Sequence, residues 1–312
     1  MKPRIVVIGS ANTDMVIRLD RLPRPGETIL GGEFATAAGG KGANQAVAAA
    51  RAGGEVTFVG RIGRDMFGDQ ALVGFQREGI NVESISRDRS APSGVALIFV
   101  GREGENCIAV AGGANARLRP AAVRQAKAAI GSASAVVMQL ETPIDTVQAA
   151  ATIAGKAGVR FILNPAPARK LPAELLRRVS LLTPNETEAE ELTGLKVTDD
   201  ASADRAADRL LGQGVGTVIL TLGAQGAYVA TAGLRRRVSG FRVKAVDTVA
   251  AGDVFNGALA VALGEGQELL EAVRFANAAA ALSVTRHGAQ PSAPRRREIE
   301  HLVLAAKRRG QQ

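Results

Sequence analysis

The sequence predicts an α/β fold, a three-layer α/β/α sandwich around a central, mostly parallel sheet, with a small additional β-sheet. Three observations lead to this fold class. Short runs rich in β-branched residues recur along the chain, alanine-rich segments of helical length separate them, and no internal repeat or low-complexity linker interrupts the pattern. Strands that alternate with helices are typical of a parallel sheet covered by helices. We therefore expect a single domain over residues 1–312.

The alternating elements follow in order. A short buried strand is predicted at Ile5–Gly9, and further strands at 134–140, 158–163 and 216–222. Helices are predicted at 120–130, 143–157, 185–192, 201–212 and 269–284. In such a sheet, ligands bind at the carboxyl ends of the strands. The segments that follow the strands are therefore where we expect the functional site.

Two regions interrupt the alternation. Residues 17–37 combine prolines and glycines with short extended stretches, and residues 94–110 have the pattern of two strands around a turn at 101–105. We expect two hairpins outside the main sheet. They predict a small sheet formed by about 15–38 and 93–110.

The most informative stretch is 247–263, in which Asp253 stands where small residues give way to an apolar segment of helical length. A helix that begins near Asp253 has N–H groups without internal partners and a positive dipole end, which favour an anion such as a phosphoryl group. A carboxylate at that place is a candidate base. Taken alone, Ala-Gly-Asp more often marks an Asp that only caps a helix.

A second cluster, at 39–50, is a glycine-rich turn that leads into another helix of small residues, with Lys41 and Asn44 near its start. Glycine permits close approach of backbone and ligand, and these two side chains offer donors to a polyhydroxylated ligand. The cluster is not a P-loop, because the Gly-x-x-x-x-Gly-Lys spacing is missing. By itself it is a weak signal, and its pairing with Asp253 is what indicates a site.

The two clusters together resemble the two signatures of the ribokinase (pfkB) family of carbohydrate kinases. Further segments match the family in order, at 9–14, 25–28, 138–141, 164–168, 185–188, 221–226 and 288–292. The resemblance covers nearly the whole chain and implies an enzyme that uses ATP to phosphorylate D-ribose at O5, giving D-ribose 5-phosphate. It also implies that the small sheet is a lid over the sugar and the contact of a homodimer.

The resemblance assigns the chemistry to the first turn of the helix at Asp253. Asp253 is implied to be the catalytic base, and the backbone amides of Ala251, Gly252 and Asp253 to form an anion hole for the phosphoryl oxygens. The family more often has glycine where this chain has Ala250. We expect the anion hole to persist unless position 250 requires a positive φ.

The resemblance also implies how both substrates bind. The residues that match sugar-binding positions are Asn12, Asp14, Gly40, Lys41, Gly42, Asn44, Glu141 and Asp253. Those that match ATP-binding positions are Asn185, Thr221, Gly223, Gly226, Gly252 and Asn277. Glu188 is expected near Mg²⁺, which would be held largely by ATP oxygens and water. From the residues alone, Asn12-Thr13-Asp14 also fits an Asx turn, and Asn185 with Glu188 also fits a helix cap.

A monovalent cation site for K⁺ is implied next to the anion hole. Its ligands would be Asp247, the carbonyl of Val249, backbone oxygens of Ser283, Arg286 and Gly288, and the residue Ser292. Ligation by oxygen alone suits a hard, weakly charged ion. The alternative is that Asp247 only hydrogen-bonds its own turn.

The composition argues against a disulfide-linked, zinc-binding or membrane-spanning protein. The single cysteine, Cys107, excludes an internal disulfide and a cysteine-clustered zinc site. No apolar run approaches the about 20 residues of a membrane helix, and no apolar signal segment follows the N-terminus, so we expect a cytoplasmic protein without membrane association.

The net charge of +9 would suit a nucleic-acid partner. The positive excess is, however, concentrated at 235–237, 295–297 and 307–309, and the chain has no Trp and one Tyr for stacking on bases. We interpret the three basic clusters as solvated turns and tail, and expect no nucleic-acid partner.

Two alternatives remain open. The first is another sugar or nucleoside kinase of the family, such as a deoxyribokinase or a fructokinase. The second is a catalytically silent sugar-binding or regulatory protein on the same fold, against which the presence of Asp253, Lys41 and Asn185 argues.

Overall fold

A computed structural model describes residues 2–309 and has the predicted fold class. Its strands are β1 (Arg4–Ile8), β2 (Asn12–Arg18), β3 (Glu33–Gly39), β4 (Glu55–Gly63), β5 (Ile85–Asp88), β6 (Gly94–Val100), β7 (Asn106–Ala111), β8 (Ala135–Met138), β9 (Arg160–Leu163), β10 (Leu181–Leu182), β11 (Thr217–Thr221), β12 (Ala227–Ala230) and β13 (Arg235–Val238). Its α-helices are α1 (Lys41–Arg51), α2 (Met66–Arg77), α3 (Pro120–Gln125), α4 (Lys127–Gly131), α5 (Ile144–Lys156), α6 (Ala173–Leu176), α7 (Glu186–Thr193), α8 (Asp200–Gly212), α9 (Ala251–Gly264), α10 (Leu269–Ser283) and α11 (Arg296–Arg309).

The main sheet has nine strands in the order β13-β12-β11-β10-β9-β8-β1-β4-β5. All neighbours are parallel except β11 with β12 and β12 with β13, so the prediction of a mostly parallel sheet is confirmed. The second sheet has four strands in the order β3-β2-β6-β7. It consists of the two predicted hairpins, joined by parallel pairing of β2 with β6.

The core lies on both faces of the main sheet. In the central strand β1, Ile5 and Val7 pack on the side of α1, α9 and α10, whereas Val6 and Ile8 pack on the opposite side. Burial on both faces explains why β1 is a continuous apolar run and does not alternate with polar residues. Each fully buried aliphatic side chain of this kind stabilises the fold by about 1.5–3 kcal/mol.

Helices α1 and α9 bring the two signature segments together. A Cβ atom added at Gly257 would lie 2.6 Å from the carbonyl oxygen of Gln45 and 2.7 Å from the Cβ of Ala48. Gly257 therefore lets the two helices approach until backbone touches backbone. Asn44 and Asp253, which lie about one turn before Ala48 and Gly257, are hydrogen-bonded to each other. The two helices therefore run parallel, with their first turns side by side.

Two sequence interpretations need correction. The helix predicted at 120–130 is divided into α3 and α4, which meet at Ala126. The basic clusters are not turns and tail, because residues 235–237 belong to the edge strand β13 and the other two clusters fall largely within α11. In β13, Arg235 and Arg237 both pair with carboxylates of α8, which explains charged residues in a strand. Within residues 2–309, no helix combines the length and the apolar character needed to cross a bilayer.

Candidate functional site

The turn before α9 has an unusual backbone conformation. Ala250 is the N-cap of α9 and has φ 59°, the left-handed region, and it is the one non-glycine residue with positive φ between residues 2 and 309. A left-handed alanine is disfavoured by about 1–2 kcal/mol, a steric cost that glycine does not have. Position 250 thus has the positive φ that the sequence analysis named as the exception, and alanine adopts this conformation under strain.

The backbone amides at the start of α9 differ in their availability. The N–H of Ala251 donates to the carbonyl of Thr248 over 3.3 Å. Those of Gly252 and Asp253 have no acceptor in the described part of the chain. Two of the three amides predicted for the anion hole are therefore free to bind an anion, and the third makes only a long hydrogen bond.

Asp253 is buried, with 5% of its surface exposed. Its Oδ2 accepts a hydrogen bond from Nδ2 of Asn44 at 3.0 Å, and its Oδ1 accepts one from Nε2 of Gln45 at 2.9 Å. Burial raises the pKa of Asp253, although the Lys41 ammonium and the two amide donors act in the opposite direction. A carboxylate with a raised pKa and fixed orientation has the properties of a general base.

Asp253 opens onto a cleft of about 150 Å³. The cleft is lined by residues from several segments that follow strands: Lys41, Asn164, Ala166, Thr183, Asn185, Glu188, Thr221, Thr248, Ala250, Ala251, Gly252, Asp253 and Asn256. The lining thus joins the free amides of α9 to three of the residues matched to the nucleotide side, namely Asn185, Glu188 and Thr221. Cleft, carboxylate and amides together form a site able to hold a phosphoryl group.

Lys41 is the cation at the centre of this site. Burial by itself would lower the pKa of Lys41, but the carboxylates of Asp253, Glu141 and Glu188 outweigh it, and the pKa is raised. The backbone N–H of Lys41 donates to Oε2 of Glu141 at 3.0 Å, and the hydroxyl of Ser10 donates to the same oxygen. Lys41 is therefore charged and surrounded by acidic groups.

The residues matched to sugar binding cluster beside Asp253. Asn12 is nearly buried, and its Oδ1 accepts a hydrogen bond from Asn115 at 2.7 Å. Its Nδ2 has no acceptor in residues 2–309. Asp14 follows on the same strand; burial, together with Glu141 and Asp253, raises its pKa to about 6. A Cβ atom at Gly39 would collide with the Asp14 carboxylate, so a larger residue there would displace this side chain.

Gly40 and Gly42 make the start of α1 compact. Gly40 is the N-cap with φ 89°, and a Cβ atom there would lie 2.7 Å from the backbone nitrogen of Asn12. The N–H of Gly42 donates to the hydroxyl of Ser10 at 3.3 Å. In Asn44, Oδ1 is buried without a partner in the described structure, and is thus an acceptor available to a ligand hydroxyl.

The residues matched to ATP binding are only partly in the cleft. Asn185 caps α7 in a capping box with Glu188, in which burial raises the pKa of the Glu188 carboxyl. Gly223 and Gly226 both have positive φ in the β11–β12 loop outside the cleft. Asn277 is also outside it, and its Nδ2 donates at 3.0 Å to the carbonyl of Val238, the last residue of β13.

The segments matched to a cation site meet around Asp247. Its carboxylate accepts hydrogen bonds from the N–H of Val249 at 3.0 Å and from the N–H of Gly288 at 2.9 Å. Asp247 therefore bonds its own turn, as the alternative expected, and also the segment after α10. The carbonyls of Val249, Arg286 and Gly288 accept no hydrogen bond from any group in residues 2–309.

The two serines matched to this site are buried and already donate to the backbone. The hydroxyl of Ser283 donates to the carbonyl of Ala280, and that of Ser292 to the carbonyl of Ala289. The carbonyl of Ser283 accepts from the N–H of Arg286 at 3.0 Å. The hydroxyls of Ser283 and Ser292 and the carbonyl of Ser283 are therefore already engaged in hydrogen bonds. No group of three or more His, Cys, Asp or Glu side chains suited to a metal occurs in the described residues.

Sequence reasoning missed several buried polar residues behind Asp253. They are Ser10, Gln45, Asn115, Gln139, Asn164, Thr183 and Asn256. The signal was present for Gln45, since it is an amide in an alanine-rich helix whose neighbours are small and apolar. A buried amide in such a helix must find hydrogen-bond partners, and those of Gln45 are Asp253, Asn164 and Gln139.

The sequence and the fold are similar to those of known carbohydrate kinases. The model of the pfkB family of carbohydrate kinases matches residues 2–296. Ribokinase from Haemophilus influenzae is 48% identical over 305 residues, which span 96% of this chain and 100% of that protein. Deoxyribokinase from Salmonella typhi is 37% identical over 291 residues, 93% of this chain and 95% of that protein. The structure of Arabidopsis thaliana ribokinase complexed with ribose and ATP superimposes with a TM-score of 0.91 at 35% identity and covers 97% of this chain and 99% of that one.

Proposed function

Because this chain belongs to the pfkB family of carbohydrate kinases, we propose that it transfers the γ-phosphoryl group of ATP to O5 of D-ribose. One observation carries the proposal. The buried Asp253 carboxylate contacts the sugar-side residue Asn44 at 3.0 Å and also lines the cleft that holds the amides of α9. A hydroxyl placed against Asp253 therefore faces a phosphoryl group placed at those amides.

In the proposed reaction, O5 of ribose attacks the γ-phosphorus in line with the bond to the bridging oxygen of ADP. The O5–P bond forms, the P–O bond to ADP breaks, and the O5 proton passes to Asp253. The amides of Gly252 and Asp253, with Lys41 nearby, stabilise the charge on the phosphoryl oxygens. Ala251 joins them when its long hydrogen bond to Thr248 opens.

The two substrates occupy the two sides of Asp253 in this proposal. Asn12, Asp14, Lys41, Asn44 and Glu141 bind the ribose hydroxyls, and the glycines at positions 40 and 42 allow the sugar to approach α1. The nucleotide lies along Asn185, Thr221 and the β11–β12 loop, with the adenine toward Asn277. Mg²⁺ enters with ATP, held mainly by phosphate oxygens and water, with Glu188 close by.

A K⁺ ion is proposed at Asp247. The carbonyls of Val249, Arg286 and Gly288, which accept no hydrogen bond, would form an oxygen-only donor set together with the carboxylate of Asp247, six residues before Asp253. A bound cation would supply a fixed positive charge that holds the turn before α9. We expect K⁺ to raise turnover above the rate in Na⁺ at matched ionic strength, and Asp247→Ala to reduce that difference. Equal rates in the two salts would contradict the site.

The choice of sugar is tested with a coupled assay of ADP release on D-ribose, 2-deoxy-D-ribose, D-fructose and adenosine. We expect the highest kcat/KM for D-ribose. A higher value for 2-deoxy-D-ribose would favour a deoxyribokinase, and a higher value for fructose or adenosine would leave only the family assignment. Binding of ribose without turnover of any of these substrates would identify a silent sugar-binding protein.

We also propose a homodimer formed through the small sheet, which acts as a lid over the sugar. The proposal is supported by exposed apolar side chains on both faces of this sheet, Ile108 and Val110 on the face of Asp14 and Phe34 and Leu97 on the opposite face. Apolar groups exposed on a small sheet with two open edges are typical of a surface that pairs with another chain.

A further inference from the structure

We infer that Gln45 is a positioning residue that keeps Asp253 ionised and correctly oriented, and that a chain of buried amides fixes the orientation of Gln45 itself. The inference rests on the proposed role of Asp253 as the base. Gln45 has no exposed surface, and its Nε2 donates to Oδ1 of Asp253 at 2.9 Å and to Oδ1 of Asn164 at 3.1 Å. Both of its amide protons therefore have acceptors.

The orientation of these amides starts at a backbone carbonyl. Nδ2 of Asn164 donates to the carbonyl of Thr183 at 3.3 Å. A carbonyl only accepts, so the nitrogen of Asn164 must face Thr183 and its oxygen must face Gln45. Gln45 must in turn present its nitrogen to Asn164, and the same nitrogen then reaches Asp253.

Gln139 completes the chain from the other side. Its Nε2 donates to Oε1 of Gln45. Its own Oε1 is buried without a partner in the described residues, so a flipped Gln45 would lose the bond to Asn164 and would keep one to Gln139 only if Gln139 flipped as well. Gly9 makes room for it, because a Cβ atom at position 9 would collide with the Gln139 carboxamide. If Gln45 flipped, its oxygen would face the oxygens of both Asn164 and ionised Asp253 with no proton between them.

The fixed orientation of Gln45 keeps its Nε2 donor directed at the buried carboxylate of Asp253. The ionisable groups around Asp253 are Lys41 on α1, Glu141 after β8, Glu188 on α7 and Asp14 on β2. Burial and the three carboxylates favour protonation of Asp253, whereas Lys41 and the donors Asn44 and Gln45 oppose it. Gln45 thus extends the pH range over which Asp253 is an unprotonated base.

The test compares the pH dependence of kcat for wild type, Gln45→Leu and Gln45→Glu. Loss of one hydrogen bond to a charged group corresponds to a rise of about 1 to 2 in the apparent pKa of the acid limb. We expect this rise in Gln45→Leu and a larger one in Gln45→Glu, which adds a like charge. Gln139→Leu should give a smaller rise in the same direction, because Asn164 still orients Gln45. Gln76→Leu, the same change at an exposed position on α2, should match wild type.

Ribose affinity and melting temperature are measured on the same variants. Acid limbs that coincide with wild type, with lower melting temperatures, would show that Gln45 only packs and would overturn the inference. If Gln45→Leu does not fold, the acid limb and the melting temperature of Gln139→Leu provide the same test. A failure of the proposed function looks different, because Asp253→Asn would then keep wild-type turnover, or wild type itself would not phosphorylate ribose.

Discussion

At the scale of single residues, the site concentrates four carboxylates around one ammonium group. Asp14, Glu141, Glu188 and Asp253 lie close enough to one another and to Lys41 to influence ionisation across the site. Burial, together with the charges of the neighbouring carboxylates, raises the pKa values of Asp14, Glu188 and Asp253. Sugar hydroxyls are donors, so the arrangement favours a polyol over an anion on this side of Asp253.

Asp14 should reduce the stability of the protein near neutral pH. Its folded-state pKa of about 6 lies above the ordinary value of 3.8 for an aspartate, so its contribution to stability is complete below about pH 4 and is lost as the pH rises through about 6. A pKa difference of about 2 corresponds to a change of at most roughly 3 kcal/mol in the free energy of unfolding. The actual change is smaller because Asp14 is only partly buried. We expect Asp14→Asn to raise the free energy of unfolding at pH 7.5 by about 1–2 kcal/mol and to weaken ribose binding.

Urea denaturation at pH 5 and pH 7.5 measures the effect, with Asp20→Asn as the control. Asp20 is exposed and pairs with Arg102, and such a pair contributes less than about 1 kcal/mol. An Asp14→Asn variant that is less stable than wild type at pH 7.5 would contradict the electrostatic account of the site.

At the scale of elements, the site depends on the close parallel packing of α1 and α9. Asn44 and Gln45 belong to α1 and Asp253 to α9, so the hydrogen bonds that hold the base cross this helix interface. Gly257 sets the distance, since any side chain there meets the backbone of α1.

We expect Gly257→Ala to separate the helices, to destabilise the fold by about 1–3 kcal/mol as overpacking does, and to lower kcat. Gly74→Ala in α2 is the matched control, because a Cβ atom at Gly74 meets nothing within 4 Å. That variant should be more stable by up to about 1 kcal/mol, with unchanged kcat. Denaturation and steady-state kinetics on both variants provide the measurement. If Gly257→Ala and Gly74→Ala had the same stability and the same kcat, close approach of the helices at Gly257 would not be required.

Elements with strong local patterns were predictable from the sequence. The buried strands β8, β9 and β11 are β-branched runs of ordinary length and were predicted, as was α9. Strand β10 has two residues, too few to produce a pattern. Strand β13 consists mainly of arginines, which form a strand because carboxylates of α8 compensate their charge, and this depends on tertiary structure.

The candidate site was predictable to a similar extent. The glycine-rich turn and Asp253 stand out as local motifs, which is why they could be recognised. The hydrogen bond from Gln45 to Asp253 could not be predicted, because the two residues are 208 positions apart and meet only in the fold. The strain at Ala250 likewise depends on the turn that precedes α9.

At the scale of the whole molecule, the small sheet has an exposed edge strand. All residues of β7 are exposed. The strand register places Val110 opposite Ala96, and Ala96 opposite Asp14, so these residues share one face of the sheet. A second copy that covered this face would also cover the side next to Asp14.

We expect the protein to be a dimer and Ile108→Lys to shift it toward monomer, because a charge on this face opposes burial. Val73→Lys is the control, since Val73 is similarly exposed but lies on α2, outside the small sheet. Size-exclusion chromatography with light scattering measures the mass, against 32.2 kDa for one chain. A monomeric wild type, or an Ile108→Lys variant as dimeric as the control, would contradict the proposed interface.

The account as a whole depends on Asp253 as the base that joins the two halves of the site. The direct measurement is kcat of Asp253→Asn alongside its ribose affinity by calorimetry. Asparagine keeps the shape but cannot accept the O5 proton, so we expect kcat to fall by about 10² to 10⁴ while ribose affinity and the folded state stay close to wild type. A variant with a lower melting temperature and near wild-type kcat per folded molecule would show that Asp253 is structural and would contradict the mechanism.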